Sequence, residues 1–406
     1  MRYLSADDNF PLKRIPHMPE KKHFETDAIR TQTPASAERE HSVPLYMTSS
    51  FTFESAEHAR AMFANEIEGN VYSRYSNPNT DEFISKMCRM EGAESGVATA
   101  SGMAGVFGCL AGLLNQGDHI LASRSLFGSS HQILSQILPR WGISFTYADT
   151  GNPDSWESLI QPNTKLLFLE TPSNPGLDLI DLEWAGNLSK AHNLIFVVDN
   201  CFATPYLQRP IEFGADLVQH SATKFIDGQG RAIGGVIVGS EQFMEKIRFF
   251  TRHTGPALSP FNAWLFSKSL ETLPVRMERH CDNAEAVANF LGEHPNVQMV
   301  KYPFHKDHHQ LELAKKQMKR GGGVVCFEIR GGLDKATSFI DNIRLLSRSA
   351  NLGDTRTIVT HPATTTHSKL SEEERESVGI RPGLIRIAAG LEHHEDIIAD
   401  IDQALG

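Results

Sequence analysis

Short apolar runs recur between stretches of helical periodicity along the first two thirds of the chain, and most of them lack polar alternation. Continuous apolar runs are typical of strands that are covered on both faces of a sheet. Strands that alternate with helices form mainly parallel sheets with right-handed connections, so the pattern predicts an α/β fold. The predicted strands are Gly96–Ala100, His119–Ala122, Leu166–Leu169, Ile195–Val198, Leu217–Val218 and Val236–Val238.

The chain has 406 residues, which is too long for one simple core and favours a large and a small domain. Prolines and turn residues are frequent in the first 76 positions, which predicts an extended arm at 1–76. We expect a large domain at 77–272 and a smaller α+β C-terminal domain at 273–406. The small domain would contain strands at "GGVVCFEIRG" and "LIRIAAG", after a long helical stretch near Phe261–Leu291.

A helix is predicted directly after the segment "SNPNT". Asn79 is the expected N-cap, because Glu82 follows three residues later in the manner of a capping box. Phe83, Met87 and Met90 then repeat at helical spacing, so we expect them to form the buried face of this helix.

Composition and charge exclude several classes of protein. The chain is 40% hydrophobic and 22% charged, as is usual for a globular protein, and its net charge of −10 argues against binding nucleic acid or anionic membranes. Five cysteines without a CxxC pair predict a reducing compartment. The N-terminus lacks a signal-peptide pattern, and no apolar run approaches the ~20 residues of a membrane span. We therefore expect a cytoplasmic protein.

An aspartate follows the apolar run of "LIFVVDNCFATP" directly. This residue, Asp199, would lie at the carboxyl end of a central strand, where ligands of α/β sheets bind. The alternative is an N-cap of the next helix, which Pro205 six residues later makes less favourable.

The segment "ATASGMAGVFGCL" places Ser101, Gly102 and Met103 between a short strand and a helix of small residues. The free N–H groups and the dipole of a helix N-terminus can bind an anion such as phosphate. The alternative is an ordinary strand–helix turn in which glycine allows close packing.

Three further side chains are suited to binding anions. Tyr72 and Arg74 are two residues apart on an extended segment, so both would point the same way and could hold a phosphate, unless the segment is simply a surface loop. Arg386 lies inside an apolar, strand-like run, and a buried arginine needs an anionic partner. That partner could be a structural acid of this chain or a substrate carboxylate.

The segment "DLVQHSATKFIDGQG" contains the residue that most directly suggests covalent chemistry. Lys224 follows a predicted strand, and burial in a site would lower the pKa of its amine and make it a nucleophile for a Schiff base with an aldehyde cofactor. Ser221 and Thr223 could bind the phosphate of that cofactor. Asp199 could hold a pyridinium nitrogen, and Phe127 could stack on the ring.

Other binding motifs are poor or missing. The glycines of "GQGRAIGG" have the spacing G-x-G-x-x-x-G, which differs from the dinucleotide fingerprint, and no P-loop pattern occurs. No HExxH pattern occurs among the 18 histidines, so no metal is predicted. A non-enzymatic nucleotide-binding protein remains the alternative from a different functional class.

The motifs together resemble the Cys/Met metabolism group of pyridoxal-phosphate enzymes, which is cystathionine γ-synthase-like and has fold type I. The resemblance implies a fold type I PLP-dependent transferase, with a mainly parallel seven-stranded sheet domain and a smaller α+β C-terminal domain. It also implies a homotetramer formed as a dimer of dimers, small-molecule substrates, and an arm that reaches the neighbouring subunit. The resemblance extends from "VPLYMTSSFTF" to "RIAAGLE" and rests on "YSRYSNPNT", "ASGMAG", "ETPSNP", "VVDNCFATP", "HSATKF", "NLGDTRT" and "HPATTTHS".

The resemblance also implies roles for individual residues. Lys224 would bind pyridoxal 5'-phosphate covalently, and Asp199 would pair with its pyridine nitrogen. Asn174 would lie near the ring hydroxyl, and Arg386 would bind the substrate α-carboxylate with Asn351 close by. The phosphate would be held by Gly102, Met103, Ser221 and Thr223, and from the neighbouring subunit by Tyr72 and Arg74.

Details within the family favour one substrate. Phe127 occupies a position that is usually tyrosine, so stacking is kept but an acid–base phenol is lost. Ser129 lies where methionine γ-lyases have cysteine, and Asn351 lies where cystathionine synthases and lyases usually have serine. "NLGDTRT", "GPALSPFNAW" and "DGQGR" resemble sulfhydrylases that act on O-succinylhomoserine. The implied reaction is γ-replacement with sulfide; the alternatives are a cystathionine γ-synthase and a sulfhydrylase of O-acetylhomoserine.

Overall fold

The computed structural model describes residues 22–64, 66–366, 368, 371–377 and 379–406. A seven-stranded sheet has the order β1-β7-β6-β5-β4-β2-β3, in which β7 is antiparallel to both neighbours and the other pairs are parallel. The predicted mainly parallel sheet is confirmed. Its strands are β1 Ser95–Thr99, β2 His119–Ser123, β3 Ser144–Ala148, β4 Thr164–Glu170, β5 Ile195–Asp199, β6 Leu217–Ser221 and β7 Gly235–Gly239.

All six strands predicted for this sheet are present, and the seventh, β3, was not predicted. Strand β3 lies at the edge of the sheet and most of its side chains are exposed or half-buried. Its sequence therefore lacks the continuous apolar run that marks the covered strands.

A second, five-stranded sheet is built from the C-terminal third of the chain, with the order β10-β11-β12-β9-β8. The strands β9 and β12 correspond to the two that were predicted. One face of this sheet has an apolar core of its own, and the other face joins a core of the large sheet through Val324, Cys326 and Leu384. The strands are β8 Val297–Lys301, β9 Val324–Ile329, β10 Ser347–Arg348, β11 Ile358–Thr360 and β12 Leu384–Ala388.

Helices cover both faces of the large sheet. Helix α3 packs on one face within one apolar core, and α4 packs on the opposite face within another. No helix among the described residues is both long and apolar enough to cross a membrane. The helices are α1 Phe24–Arg30, α2 Ala56–Phe63, α3 Pro78–Glu91, α4 Gly102–Leu113, α5 Gly128–Gln132, α6 Leu182–Ala191, α7 Thr204–Leu207, α8 Glu241–Thr254, α9 Pro260–Leu270, α10 Leu273–Glu293, α11 Leu311–Gln317, α12 Gly332–Asn342, α13 Glu372–Ser377 and α14 His394–Leu405.

The predicted N-cap of α3 is wrong. Asn77 caps the helix, with its side chain accepting from the Asn79 backbone N–H, and Thr80 completes the capping box. Asn79 lies inside the first turn, where its side chain bonds to the backbone of the arm, and Glu82 accepts from the backbone N–H of Thr33 at 2.8 Å. The predicted buried face is confirmed, because Phe83, Met87 and Met90 are all buried.

The long helical stretch predicted near Phe261–Leu291 is two helices, α9 and α10. The break falls at Glu271 and Thr272, and Pro274 lies in the first turn of α10. Proline has no N–H to donate, so it is favoured at a helix start.

The predicted arm contains two short helices, α1 and α2, and is otherwise irregular. It packs along α3 and α9 of the same chain, where Asp27 pairs with Arg89 at 2.9 Å and Trp264 donates to the Val43 carbonyl at 3.0 Å. Residues 1–21 of the arm lie outside the described residues, as does His367 of the motif "HPATTTHS".

Candidate active site

Three of the predicted site residues, Asp199, Ser221 and Lys224, lie at or just after the carboxyl ends of two neighbouring strands. In the parallel register, Glu170 at the end of β4 lies beside Asp199 at the end of β5, and Asp199 lies beside Gln219 of β6. Strand β6 ends two residues later at Ser221, and Lys224 follows in the loop. This edge is where an open parallel sheet binds its ligands.

Lys224 has the environment expected of a reactive amine. Its Nζ donates to Oδ1 of Asn351 at 2.6 Å, and no carboxylate of the described residues lies within ion-pair distance. Burial, with a smaller contribution from the positive charge of Arg386, lowers the pKa of the Lys224 amine. A larger fraction of the amine is therefore neutral and nucleophilic at a given pH.

Asp199 is a carboxylate without a cationic side-chain partner among the described residues. Burial raises its pKa to about 6, although its Oδ1 accepts from the Cys201 backbone N–H at 3.1 Å. That hydrogen bond closes a local turn, and the next helix begins only at Thr204, so Asp199 is not an N-cap. A cation placed against this carboxylate would stabilise its charged form.

The start of helix α4 forms a cradle beside the end of β6. Ser101 caps the helix by accepting from the Ala104 N–H at 3.1 Å. A Cβ on Gly102 would lie 2.6 Å from the Cβ of Ser221, so glycine is required for this approach. The Ser221 hydroxyl has no hydrogen-bond partner among the described residues, and it is available to an anion at the helix N-terminus.

Two other predicted phosphate ligands lie at the same place. Met103 is half-buried in the first turn of α4. The Thr223 hydroxyl exchanges hydrogen bonds with the backbone of Gly234, accepting at 3.2 Å and donating at 3.3 Å. Its side chain is therefore held in place beside the cradle.

Arg386, on β12, is a buried cation whose partners are all neutral in the described residues. It donates to Oδ1 of Asn174 at 2.9 Å and to the carbonyls of Ala350 and Asn351 at 3.4 and 3.3 Å. Burial lowers the pKa of its guanidinium. No acid of the described residues lies in ion-pair contact with Arg386, which favours the second of the two predicted partners, a substrate carboxylate.

Glu170 was not predicted as a site residue. It is buried, its Oε2 accepts from the Phe127 backbone N–H at 2.7 Å, and burial together with the charge of Asp199 raises its pKa well above the usual range. The rule that identified Asp199 applies to Glu170 as well, because it directly follows the predicted strand Leu166–Leu169. The hydrogen bond from the Phe127 N–H to Glu170 also fixes the backbone of Phe127, the predicted ring-stacking residue.

Tyr72 and Arg74 lie on the exposed part of the arm. The Arg74 guanidinium donates to the Arg252 carbonyl and lies over the rings of Tyr72 and Tyr75. Among the described residues, no hydrogen bond or ring contact links either residue to Lys224 or α4 of the same chain. Their predicted role in a neighbouring subunit stays a prediction.

The described residues fit a phosphorylated pyridine aldehyde. A helix N-terminus with an open serine hydroxyl suits the phosphate, a carboxylate without a cationic partner suits a protonated ring nitrogen, and a buried amine suits the aldehyde. The buried guanidinium of Arg386 adds a binding site for a second molecule that carries a carboxylate. These groups lie on β5, β6, the loop after β6, α4 and β12, so both sheets contribute to one site.

Comparisons with known proteins find similar sequences over nearly the whole chain. A family model described as Cys/Met metabolism PLP-dependent enzyme matches residues 25–406. An O-succinylhomoserine sulfhydrylase of Pseudomonas aeruginosa is 46% identical over 94% of this chain and 95% of its own length. An L-methionine gamma-lyase of Treponema denticola is 42% identical over 89% of this chain and 91% of its own length.

Solved structures are similar over the same span. A Campylobacter jejuni structure, assigned as an O-acetylhomoserine (thiol)-lyase, has a TM-score of 0.91 and 35% sequence identity. The match covers 94% of this chain and 99% of the other. That structure carries a pyridoxyl phosphate joined to a lysine.

Proposed function

Because the chain belongs to the Cys/Met metabolism family of PLP-dependent enzymes, we propose that it catalyses γ-replacement on an O-acylated homoserine. The proposed reaction converts O-succinyl-L-homoserine and hydrogen sulfide to L-homocysteine and succinate, a step of methionine biosynthesis. Family membership confirms the predicted family, the fold type I architecture and the cofactor, pyridoxal 5'-phosphate. Membership of an enzyme family also excludes the alternative of a non-enzymatic nucleotide-binding protein.

One structural observation carries the reaction type: Asn351 connects Lys224 to Arg386. Its side chain accepts from the Lys224 amine, and its backbone carbonyl accepts from the Arg386 guanidinium. A substrate whose α-carboxylate pairs with Arg386 would therefore have its α-carbon near the Lys224 amine. Proton transfer at carbons next to that carboxylate is the chemistry this arrangement supports.

Lys224 and Arg386 have different roles in the proposed reaction. Bound pyridoxal phosphate supplies an electron sink for negative charge that develops beside the α-carbon. The Lys224 amine would take the α-proton and pass it to the bound cofactor, so that the freed amine could then take a proton from the β-carbon while Arg386 holds the carboxylate. The bond between the γ-carbon and the ester oxygen breaks and succinate leaves. Sulfide forms the new bond at the γ-carbon, and Lys224 returns the protons.

Asp199 and the cradle at α4 hold the cofactor in this proposal. The Asp199 carboxylate would pair with the protonated ring nitrogen, and Phe127 would stack on the ring. Asn174, whose side chain accepts from Arg386, would lie near the ring hydroxyl. Gly102, Met103, Ser221 and Thr223 would bind the phosphate.

The neighbouring subunit completes the site in the proposed assembly, a cytoplasmic homotetramer formed as a dimer of dimers. Tyr72 and Arg74 are exposed in the single chain and would reach the phosphate of the partner's cofactor. Exposed apolar side chains cluster on the same arm and support this contact: Leu45, Met47, Phe63, Ile67, Tyr72 and Tyr75. The division into an arm at 1–76, a large domain at 77–272 and a small domain at 273–406 belongs to the same proposal.

The succinyl ester is supported by the 46% identical sulfhydrylase. Its second carboxylate should meet a second cation, and the two candidates are Arg124 and Arg356. Arg356 pairs with Asp354 at 3.0 Å, which makes it the weaker of the two. Arg124 lies over the ring of Tyr147 and makes no ion pair among the described residues. An Arg124→Gln variant should raise KM for the succinyl ester and leave KM for the acetyl ester unchanged.

Steady-state kinetics with matched substrates test the proposal. We expect kcat/KM to be higher for O-succinyl-L-homoserine than for O-acetyl-L-homoserine, and higher with sulfide than with cysteine. Preference for the acetyl ester would favour the sulfhydrylase of O-acetylhomoserine. Preference for cysteine, with cystathionine as product, would favour a cystathionine γ-synthase.

A second candidate is γ-elimination, which the 42% identical gamma-lyase supports. Elimination releases ammonia and 2-oxobutanoate, and it needs no sulfide as a substrate. Ser129, the position at which the gamma-lyases have cysteine, argues against it. Release of 2-oxobutanoate from methionine would favour this candidate.

A further inference from the structure

A buried carboxylate lies behind the candidate site, on the far side of the sheet from α4. Glu91 is the last residue of α3 and its side chain is fully buried. Its Oε1 accepts two hydrogen bonds, from Nε2 of His220 at 2.6 Å and from Nδ2 of Asn200 at 3.1 Å. One oxygen atom therefore joins the ends of two neighbouring strands.

The two donors are the chain neighbours of proposed cofactor ligands. Asn200 directly follows Asp199, and His220 directly precedes Ser221. Successive side chains of a strand point to opposite faces, so Ser221 meets Gly102 of α4 while His220 meets Glu91 of α3. A shift of Asn200 or His220 would therefore move its chain neighbour, Asp199 or Ser221, which is a proposed cofactor-binding residue.

Asn200 can transmit this constraint because every polar group of the residue is engaged. Its backbone N–H donates to the Gln219 carbonyl at 3.0 Å, and its carbonyl accepts from the Thr204 N–H at 3.0 Å. Its side chain exchanges hydrogen bonds with Gln208 at 2.8 and 3.0 Å. The residue after Asp199 is thus fixed from several directions, and Glu91 supplies the only charged contact among the described residues.

The contact leaves two buried polar atoms without a hydrogen bond among the described residues. Oε2 of Glu91 and Nδ1 of His220 are buried without a hydrogen-bond partner among the described residues, and no lysine or arginine there lies within ion-pair distance of Glu91. A buried carboxylate is costly unless its remaining contacts are good. The cost of burying this carboxylate points to a role beyond stability.

We propose that Glu91 is a positioning residue of the cofactor site, which fixes Asp199 and Ser221 relative to one another through Asn200 and His220. This inference rests on the roles proposed above for Asp199 and Ser221. Glu91 contacts Asn200 and His220 and lies on the opposite face of the sheet from α4, so its effect would be on the spacing of Asp199 and Ser221.

A matched set of variants tests the inference. Glu91→Gln keeps the shape of the side chain and removes its charge, while Met87→Ala opens a cavity in the same helix at a buried residue that takes no part in the Glu91 hydrogen bonds. We expect Glu91→Gln to raise the dissociation constant for pyridoxal phosphate about tenfold, the usual effect of weakening a hydrogen bond to a charged group. Met87→Ala should lower the melting temperature and leave that constant unchanged.

Hydrogen exchange of the cofactor-free protein provides a second measurement, which does not depend on cofactor binding. Hydrogen exchange at residues 199–204 and 219–224 should be faster in Glu91→Gln than in Met87→Ala when both are compared at equal distance below their melting temperatures. If Glu91→Gln does not fold, Asn200→Ala, which keeps the pair of Glu91 and His220, replaces it with the same expectations.

The outcomes separate this inference from the site on which it rests. Asp199→Asn should weaken cofactor binding whatever Glu91 does. If Asp199→Asn weakens binding and Glu91→Gln matches the wild type in affinity and exchange, Glu91 is not a positioning residue and the site is unaffected. If Asp199→Asn binds as tightly as the wild type, the proposed role of Asp199 and the inference are both wrong.

Discussion

The amine of Lys224 lies 2.6 Å from Oδ1 of Asn351, although 127 positions separate the two residues in the chain. Lys224 follows the last parallel strand of the large sheet, and Asn351 lies in a loop of the small one. A Cβ on Gly353, two residues after Asn351, would lie 2.8 Å from the Lys224 carbonyl carbon. The two loops are thus in direct backbone contact, and the reactive amine is oriented from both sheets.

The first prediction concerns Asn351→Ala. Removing the amide oxygen leaves the Lys224 amine without its only side-chain hydrogen bond among the described residues, so kcat should fall about tenfold with a smaller change in KM. Asn342→Ala, an exposed asparagine on α12, serves as the control and should match the wild type. A change confined to KM would show that Asn351 binds substrate and does not orient the amine.

The second prediction concerns the pH dependence of the cofactor-free protein. The Asp199 pKa is raised from 3.8 to about 6, so its proton stabilises the folded state at low pH. This stabilisation is fully present below the pKa of Asp199 in the unfolded chain. It is lost as the pH rises through the pKa of Asp199 in the folded protein. Between about pH 4 and pH 7, the melting temperature of the wild type should therefore fall relative to that of Asp199→Asn. Parallel curves for the two proteins would contradict the raised pKa.

The third prediction concerns Arg386→Lys. A lysine keeps the charge but loses the planar pair of donors that suits a carboxylate, so KM should rise by about one to two orders of magnitude. Arg381→Lys is the matched control, because Arg381 is largely exposed and pairs with Glu328. Titration with the substrate's carboxylate-free amine should show no difference between Arg386→Lys and the wild type. A normal KM in Arg386→Lys would assign the carboxylate to another residue.

The fourth prediction tests whether subunits share a site. Arg74→Ala and Lys224→Ala should each have little activity, because each removes one part of every site. Unfolding and reassembling the two variants together should restore activity, since mixed dimers contain one site with both residues intact. Mixtures that stay as inactive as the separate variants would place Arg74 in the site of its own chain, or outside the site.

Local patterns were sufficient for the strands that carry Asp199 and Ser221, because continuous apolar runs end where the ligand-binding edge begins. Arg386 was expected to need an anion because it lies inside an apolar, strand-like run, which is also a local pattern. Its actual partners, Asn174 and the 350–351 carbonyls, come from distant segments and could not be predicted from spacing. The contact of Glu91 with His220 is equally remote in sequence.

The error at the start of α3 has a local cause. Both Asn77 and Asn79 can cap a helix, and Glu82 in the capping-box position favoured Asn79. Pro78 gives the opposite signal, because proline is favoured at the first helical position. The structure follows the proline, since Asn79 and Glu82 hold the arm in place.

Product analysis tests the central claim most directly. The wild type, loaded with pyridoxal phosphate, is incubated with O-succinyl-L-homoserine and sulfide, and homocysteine, succinate and 2-oxobutanoate are quantified against Lys224→Ala. Equal amounts of homocysteine and succinate, with little 2-oxobutanoate and no turnover by Lys224→Ala, are the predicted result. Succinate released with 2-oxobutanoate in place of homocysteine, or turnover by Lys224→Ala, would contradict it.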